Sequence, residues 1–269
     1  MPPRSETYLH GHHTSVLRSH QRRTAENSAA YLLPFLTVDA KVLDVGCGPG
    51  TITVDLAARV PAGSVTGIDA AEGVLATARE EAAGRGVPNV SFSSGNVYQL
   101  DYPDGTFDVV HAHQVLQHLS DPVAALAEMR RVTRPGGLVA ARDGDYGGMF
   151  WYPASPGLDE WQALYRAVAR GLGGEPDAGR HVLAWARSAG FADVTASASA
   201  WCYAGPVDRP WWAGLWASRV SETAFADQAV EQGRATREDL GRLAAAWLEW
   251  GQSEDGWFTI PNGEVLCRV

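Results

Sequence analysis

Val42-Leu43-Asp44-Val45-Gly46-Cys47-Gly48-Pro49-Gly50 decides how the 269-residue chain is read. The apolar run ends in alternating glycines and passes directly into Thr51-Ile52-Thr53-Val54-Asp55-Leu56-Ala57-Ala58, so it reads as strand, tight turn and helix. Glycines at 46, 48 and 50 carry no Cβ and accept φ > 0, which lets a ligand lie on the turn itself. A dinucleotide site has the same outline but requires G-x-G-x-x-G with a pyrophosphate at the helix N-terminus. Here the third glycine comes one position early, and the Asp44 carboxylate would repel a phosphate in the turn. The turn suits a cation, which weighs against a nicotinamide dehydrogenase.

A second anchor follows. Val65-Thr66-Gly67-Ile68-Asp69 is a short strand ending in an acid, and one carboxylate can accept from both hydroxyls of a ribose. Val90 to Gly95 alternates as a half-buried strand and ends in Asn96-Val97. Phe107-Asp108-Val109-Val110-His111-Ala112 is the fourth strand, and Arg134-Pro135-Gly136-Gly137 turns the chain into a fifth, Leu138 to Ala141.

In this order the segments resemble the class I S-adenosylmethionine (SAM) dependent methyltransferases. The likeness is to the small-molecule subgroup that includes the ubiquinone/menaquinone-biosynthesis enzymes, and the leader RTAENSAAYLLP, residues 23–34, fits that subgroup too. The resemblance implies an α/β, Rossmann-like fold: a seven-stranded, mostly parallel sheet with helices on both faces, an antiparallel last strand, an N-terminal helical lid and an inserted helical cap. It implies SAM as methyl donor and S-adenosylhomocysteine (SAH) as product. Asp44, Gly46 and Gly48 would then lie under the methionine portion, with Asp69 and Ala70 at the ribose and Asn96 and Val97 at the adenine. The family usually has Asp where Asn96 stands, yet an amide oxygen can accept the same hydrogen bond. His113 and Gln114, at the carboxyl end of the fourth strand, are expected beside the methionine, and Tyr8 and Arg23 are expected as lid contacts.

Composition narrows the partners. Lys+Arg 22 against Asp+Glu 31 gives a net charge of −9 without a compensating basic run, which argues against nucleic acid and for a small-molecule acceptor. No apolar h-region opens the sequence and no apolar run approaches about 18 residues, so neither a signal peptide nor a membrane span is expected. Three cysteines, too few for a disulfide framework, point to a reducing cytoplasm. The histidines at 10, 12 and 13 are poorly spaced for a metal and no metal site is assigned. A homodimer is compatible with all of this.

All ten tryptophans lie at or beyond residue 151. The expected organisation is a lid at 1–35, a core at 36–206 with an insertion after strand five at about 146–176, a helical cap at 207–252 and a terminal strand at 253–269. Most of these tryptophans are expected to pack cap against core. Trp151, Tyr152, Trp211 and Trp212 are the candidates for the acceptor pocket, favouring an aromatic or heterocyclic acceptor for C-, N- or O-methylation, quinone-like or of secondary metabolism. A base is needed only where the acceptor rests protonated, and His113, His118 and, from the lid, His13 are the nominees. Asp143 and Asp145, after the fifth strand, are expected to be solvated. The rival to an enzyme is a noncatalytic SAM-binding or assembly partner that uses the tryptophan-rich half as an interface.

Overall fold

A computed structural model describes residues 22–269. Its sheet has five parallel strands, β1 (Lys41–Val45), β2 (Ser64–Asp69), β3 (Val90–Ser94), β4 (Phe107–His113) and β5 (Thr133–Gly144), in the spatial order β3-β2-β1-β4-β5. Two further strands complete the frame, β7 (Asp193–Tyr203) and β8 (Trp257–Arg268). β8 runs antiparallel between β5 and β7, pairing Leu138 with Arg268 on one edge and Asp193 with Arg268 on the other. The expected seven strands become eight. β6 (Phe150–Tyr152) continues the β5 edge of β8, and three residues are too short to show a period in sequence.

The central strands β1, β4 and β5 are buried on both faces, so they read as nearly continuous apolar runs, whereas β3 and β7 stay largely exposed. The side-chain period of two still sorts them. Leu43, Val110, Val139 and Val265 pack on one face against α4 (Pro122–Val132) and α6 (Val182–Ser188), through residues such as Leu126 and Ala186. Val42, Val109, Leu138 and Ala140 pack on the other against α2 (Thr51–Arg59) and the N-terminal α1 (Ala25–Ser28). Crossovers α2 and α3 (Glu72–Gly84) connect the first three strands. The RPGG segment loops out within β5, where the register jumps between Phe107↔Thr133 and Val109↔Leu138.

The second half builds its own aromatic core. α5 (Pro156–Gly171) follows β6; α7 (Asp208–Glu222), α8 (Ala224–Glu231) and α9 (Arg237–Gln252) lie between β7 and β8 in sequence. Trp161 sits at its centre, edge-on to Trp216 at 4.5 Å and to Trp247 at 4.7 Å, and Phe258 of β8 closes the cluster. α7 and α8 are separate helices: Thr223 turns extended (ψ 176°), and its Oγ1 caps α8 by accepting from the Phe225 N–H at 3.3 Å. No helix among the described residues is long and apolar enough to cross a membrane.

Candidate active site

Glycines 46, 48 and 50 all adopt positive φ, at 69°, 53° and 82°. The space their missing side chains leave is partly filled by protein. A Cβ at Gly46 would stand 2.4 Å from Val115 Cγ2, and one at Gly50 2.8 Å from Ala78 Cβ on α3. These two glycines therefore allow the turn to nest between β4 and α3 as well as to receive a ligand.

Asp69, at the end of β2, locks this turn: Oδ2 accepts from the Gly48 N–H at 3.0 Å and Oδ1 from the Ala71 N–H at 2.9 Å. Each oxygen keeps a second lone pair, and the residue lines the adjoining cavity, so the carboxylate fits a ribose diol. Asn96 is held in a turn by its own side chain, whose Oδ1 accepts from the Tyr98 N–H at 3.0 Å, and Asn96 and Val97 line the same cavity. Asp44 is buried, with Oδ2 accepting from Thr53 Oγ1 at 2.6 Å and Oδ1 2.7 Å from His111 Nδ1. Burial, then the Asp44 and Asp69 charges, push the Cys47 thiol far above its usual range, so no thiolate nucleophile forms in the turn.

The cavity measures about 1120 Å³, just above the range of roughly 300–1,000 Å³ for a small-molecule site. It runs from this turn to an aromatic wall of Tyr146, Trp201, Tyr203 and Trp212, with Met149 and Ile260. Of the residues expected at the cofactor, Asp44, Gly46, Gly48, Asp69, Ala70, Asn96, Val97, His113, Gln114 and Arg23 line it together, as does His118. Tyr8 and His13 lie outside the described residues.

Three pocket candidates lie elsewhere. Trp151 is stacked on Phe258 at 5.7 Å inside the aromatic core, and Tyr152, its neighbour on an alternating strand, faces solvent. Trp211 is turned about 100° from Trp212 on α7. Arg22 covers its ring at 4.1 Å. Trp212 alone of the four reaches the cavity.

Gln114 holds a left-handed backbone (φ 53°) at the carboxyl end of β4, a conformation that costs a non-glycine residue about 1–2 kcal/mol. Its side chain accepts from Arg23 Nη2 at 2.5 Å and donates to Asn262 Oδ1 at 3.4 Å. His113 is buried beside it, edge-on to Trp201 at 5.5 Å. Burial, reinforced by the Arg23 charge, pushes His118 down to about 3. That value replaces the near-neutral imidazole expected there: His118 rests neutral and is a weak base. Its Nε2 lies 3.2 Å from Gln117 Nε2.

Asp143, within β5, and Asp145, just after it, are buried, contrary to the solvated positions expected. Asp145 is clamped by Arg180 through bonds of 2.7 and 2.6 Å and caps the Gly148 N–H. Asp143 is fully inaccessible, accepts from the Gln117 N–H at 3.1 Å, and burial pushes it up to about 7. Beneath Trp201 lies a further buried pair, Arg142 Nε to Glu264 Oε1 at 3.1 Å, with the Arg142 guanidinium 4.5 Å from the indole. Sequence reasoning missed Trp201, Tyr146, Tyr203 and Arg219 of α7. Spacing could have found Arg219, since Trp212, Trp216 and Arg219 recur at i, i+4 and i+7 on one helical face.

Comparison with known proteins agrees with this geometry. Residues 42–137 match the family described as "Methyltransferase domain". An uncharacterized methyltransferase of Schizosaccharomyces pombe is 37% identical over 274 residues, covering 97% of this chain and 96% of that protein. A demethylmenaquinone methyltransferase of Geobacillus stearothermophilus is 41% identical over 99 residues, 36% of this chain and 42% of its own. The crystal structure of the YcgJ protein from Bacillus subtilis shares the fold at a TM-score of 0.60 and 18% identity, covering 90% of this chain and 98% of its own. The chain belongs to the class I SAM-dependent methyltransferases. It is an enzyme of that class.

Proposed function

We propose that the enzyme methylates a small aromatic or heterocyclic acceptor, held against the aromatic wall, by in-line displacement. The observation that carries this is the continuity of one cavity from the glycine turn to Tyr146, Trp201, Tyr203 and Trp212. SAM, when bound, supplies a methyl already activated on sulfonium. The protein's task is then to hold the acceptor in line and exclude water, worth up to about 7–11 kcal/mol in favourable cases.

Asp69 would hold the ribose, and Asn96 with the Val97 N–H the adenine. Gln114, braced by Arg23, would position the methionine end. The segment bearing Arg22, Arg23 and Asn27 closes over the site from above, tied to β7 by the Trp201 Nε1 bond to the Asn27 carbonyl at 2.8 Å. Burial raises the Tyr146 phenol and pushes Tyr203 up to about 12, so both stay protonated and can donate to an acceptor oxygen. His113 would receive the acceptor's proton where there is one to lose. The three unpaired thiols suit a reducing cytoplasm.

Calorimetric titration with SAH tests the site first. Wild type should bind, and Asp69→Ala should bind about 10- to 100-fold more weakly, the loss of hydrogen bonds to a charged group. Equal binding by the two would remove Asp69 from the ribose. Methylated mass after incubation with SAM and a panel of aromatic acceptors then tests turnover.

A further inference from the structure

The acceptor half of the cavity is a positively charged place. Arg219, almost fully buried on α7, lines it, and its guanidinium lies 5.1 Å from the Trp216 ring centroid. Arg23 lines the same cavity, bonded to Gln114. Both guanidinium charges counter the upward push of burial on Tyr146 and Tyr203, which locates the two cations around the same phenols.

The acids lining the cavity among the described residues are Asp44, Asp69 and Asp208. Asp44 and Asp69 belong to the glycine turn. Asp208 is bonded to Arg22 at 2.9 Å, and that pair is half exposed. Of the described acids that line the cavity, Asp208 is the one whose charge reaches Tyr203 on the aromatic wall, and Arg22 pairs with it. The half that would hold a sulfonium thus carries Asp44 and Asp69, the half that would hold the acceptor carries Arg219, Arg23 reaches both through Gln114, and Asp208 is paired with Arg22.

We propose that the acceptor is an aromatic acid, whose carboxylate Arg219 binds while Trp212 and Trp201 hold the ring. A guanidinium presents a planar fork that matches a carboxylate with two parallel hydrogen bonds, and burial strengthens each of them. Tyr146 and Tyr203, protonated, add neutral donors to the same anion. The flat aromatic wall fits the ring, and the fixed charge orients it so that one edge alone faces the methyl. This rests on the methyltransferase reading of the cavity and adds the charge of the substrate.

The test uses the full chain saturated with SAH, after SAH binding has been measured alone. A hydroxynaphthoate and the matching hydroxynaphthamide, nearly equal in shape and unequal in charge, are titrated into wild type, Arg219→Gln and Arg219→Lys. The acid should bind wild type at least about tenfold more tightly than the amide. Arg219→Gln should erase that preference while keeping SAH affinity, and Arg219→Lys should restore part of it. Equal binding of acid and amide by wild type overturns the proposal, as does an undiminished preference in Arg219→Gln. Binding of neither compound by SAH-loaded protein overturns it as well. Failure of wild type to bind SAH would instead strike the cofactor site, so the two readings fail separately. Should Arg219→Gln lose SAH binding, the wild-type comparison and Arg219→Lys still decide.

Discussion

Asp143 carries a pH dependence that its position dictates. Its carboxyl stands near 7 because burial penalises the charged form more than the Gln117 and Leu116 N–H groups and the Arg142 and Arg23 charges favour it. A carboxyl raised on folding stabilises the fold fully below its unfolded value near 4 and loses that contribution as pH rises through about 7. A rise of this size corresponds to at most about 4 kcal/mol. Asp143→Asn keeps an oxygen for the Gln117 N–H and has no charge to bury. It should unfold at higher urea than wild type at pH 8, match it at pH 4, and show a flatter stability profile between. Parallel profiles for the two proteins would contradict the buried, proton-holding carboxyl. Two histidines, His113 and His118, line the same cavity. If His113 receives the acceptor's proton, His113→Gln should lower turnover about 10²- to 10⁴-fold with SAH affinity kept. His118, pushed down to about 3, has too little affinity for a proton to serve, and His118→Gln should cost less than about tenfold. A reversed order of the two losses would move the base to His118.

At the scale of elements, what could be read in advance was whatever repeats. β1, β2, β4 and β5 were legible because apolar runs bounded by turn residues leave little choice. The glycine turn and the Asp69 strand end were legible because a ligand lying on backbone demands those residue types at that spacing. The aromatic half was not, because an indole is equally at home in a core or a pocket and the choice is made by which face of its element meets which neighbour. Trp161 and Trp216 face each other across α5 and α7, whereas Trp201 lies on the cavity wall with the guanidiniums of Arg142 and Arg23 at 4.5 and 5.6 Å from its ring. Those partners are remote in sequence, so no local pattern announces them. Asp143 and Asp145 follow the same rule. Acids in a loop after a strand are solvated by default, and the Arg180 clamp comes from a segment 35 residues on.

For the whole molecule, the decisive element is β8. Its first half supplies Phe258 and Ile260 to the aromatic core, and its second half supplies Val265 and Cys267 to the core of the sheet. It also pairs with β7 from Phe258 to Arg268. Neither core can lose this strand without exposing apolar surface in the other. The N-terminal segment adds cross-ties from Arg22 to Asp208 and from Trp201 to Asn27. The chain should therefore unfold as one cooperative unit, in spite of its separate hydrophobic clusters. The distribution of chromophores makes this measurable, since all ten tryptophans report from residue 151 onward while four of the nine α-helices of the described residues, and the five parallel strands, lie before it. Near-UV dichroism, dominated by the indoles, and far-UV dichroism should lose their signals at the same urea concentration. SAH, binding only the folded chain, should move both midpoints together, by about 2.7 kcal/mol when present at 100 times its dissociation constant. Earlier loss of the near-UV signal, or a shift by SAH in the far-UV midpoint alone, would mean that the aromatic half is a separately folding domain. The acceptor wall could then open without disturbing the cofactor turn, and substrate entry would need no wider motion of the sheet.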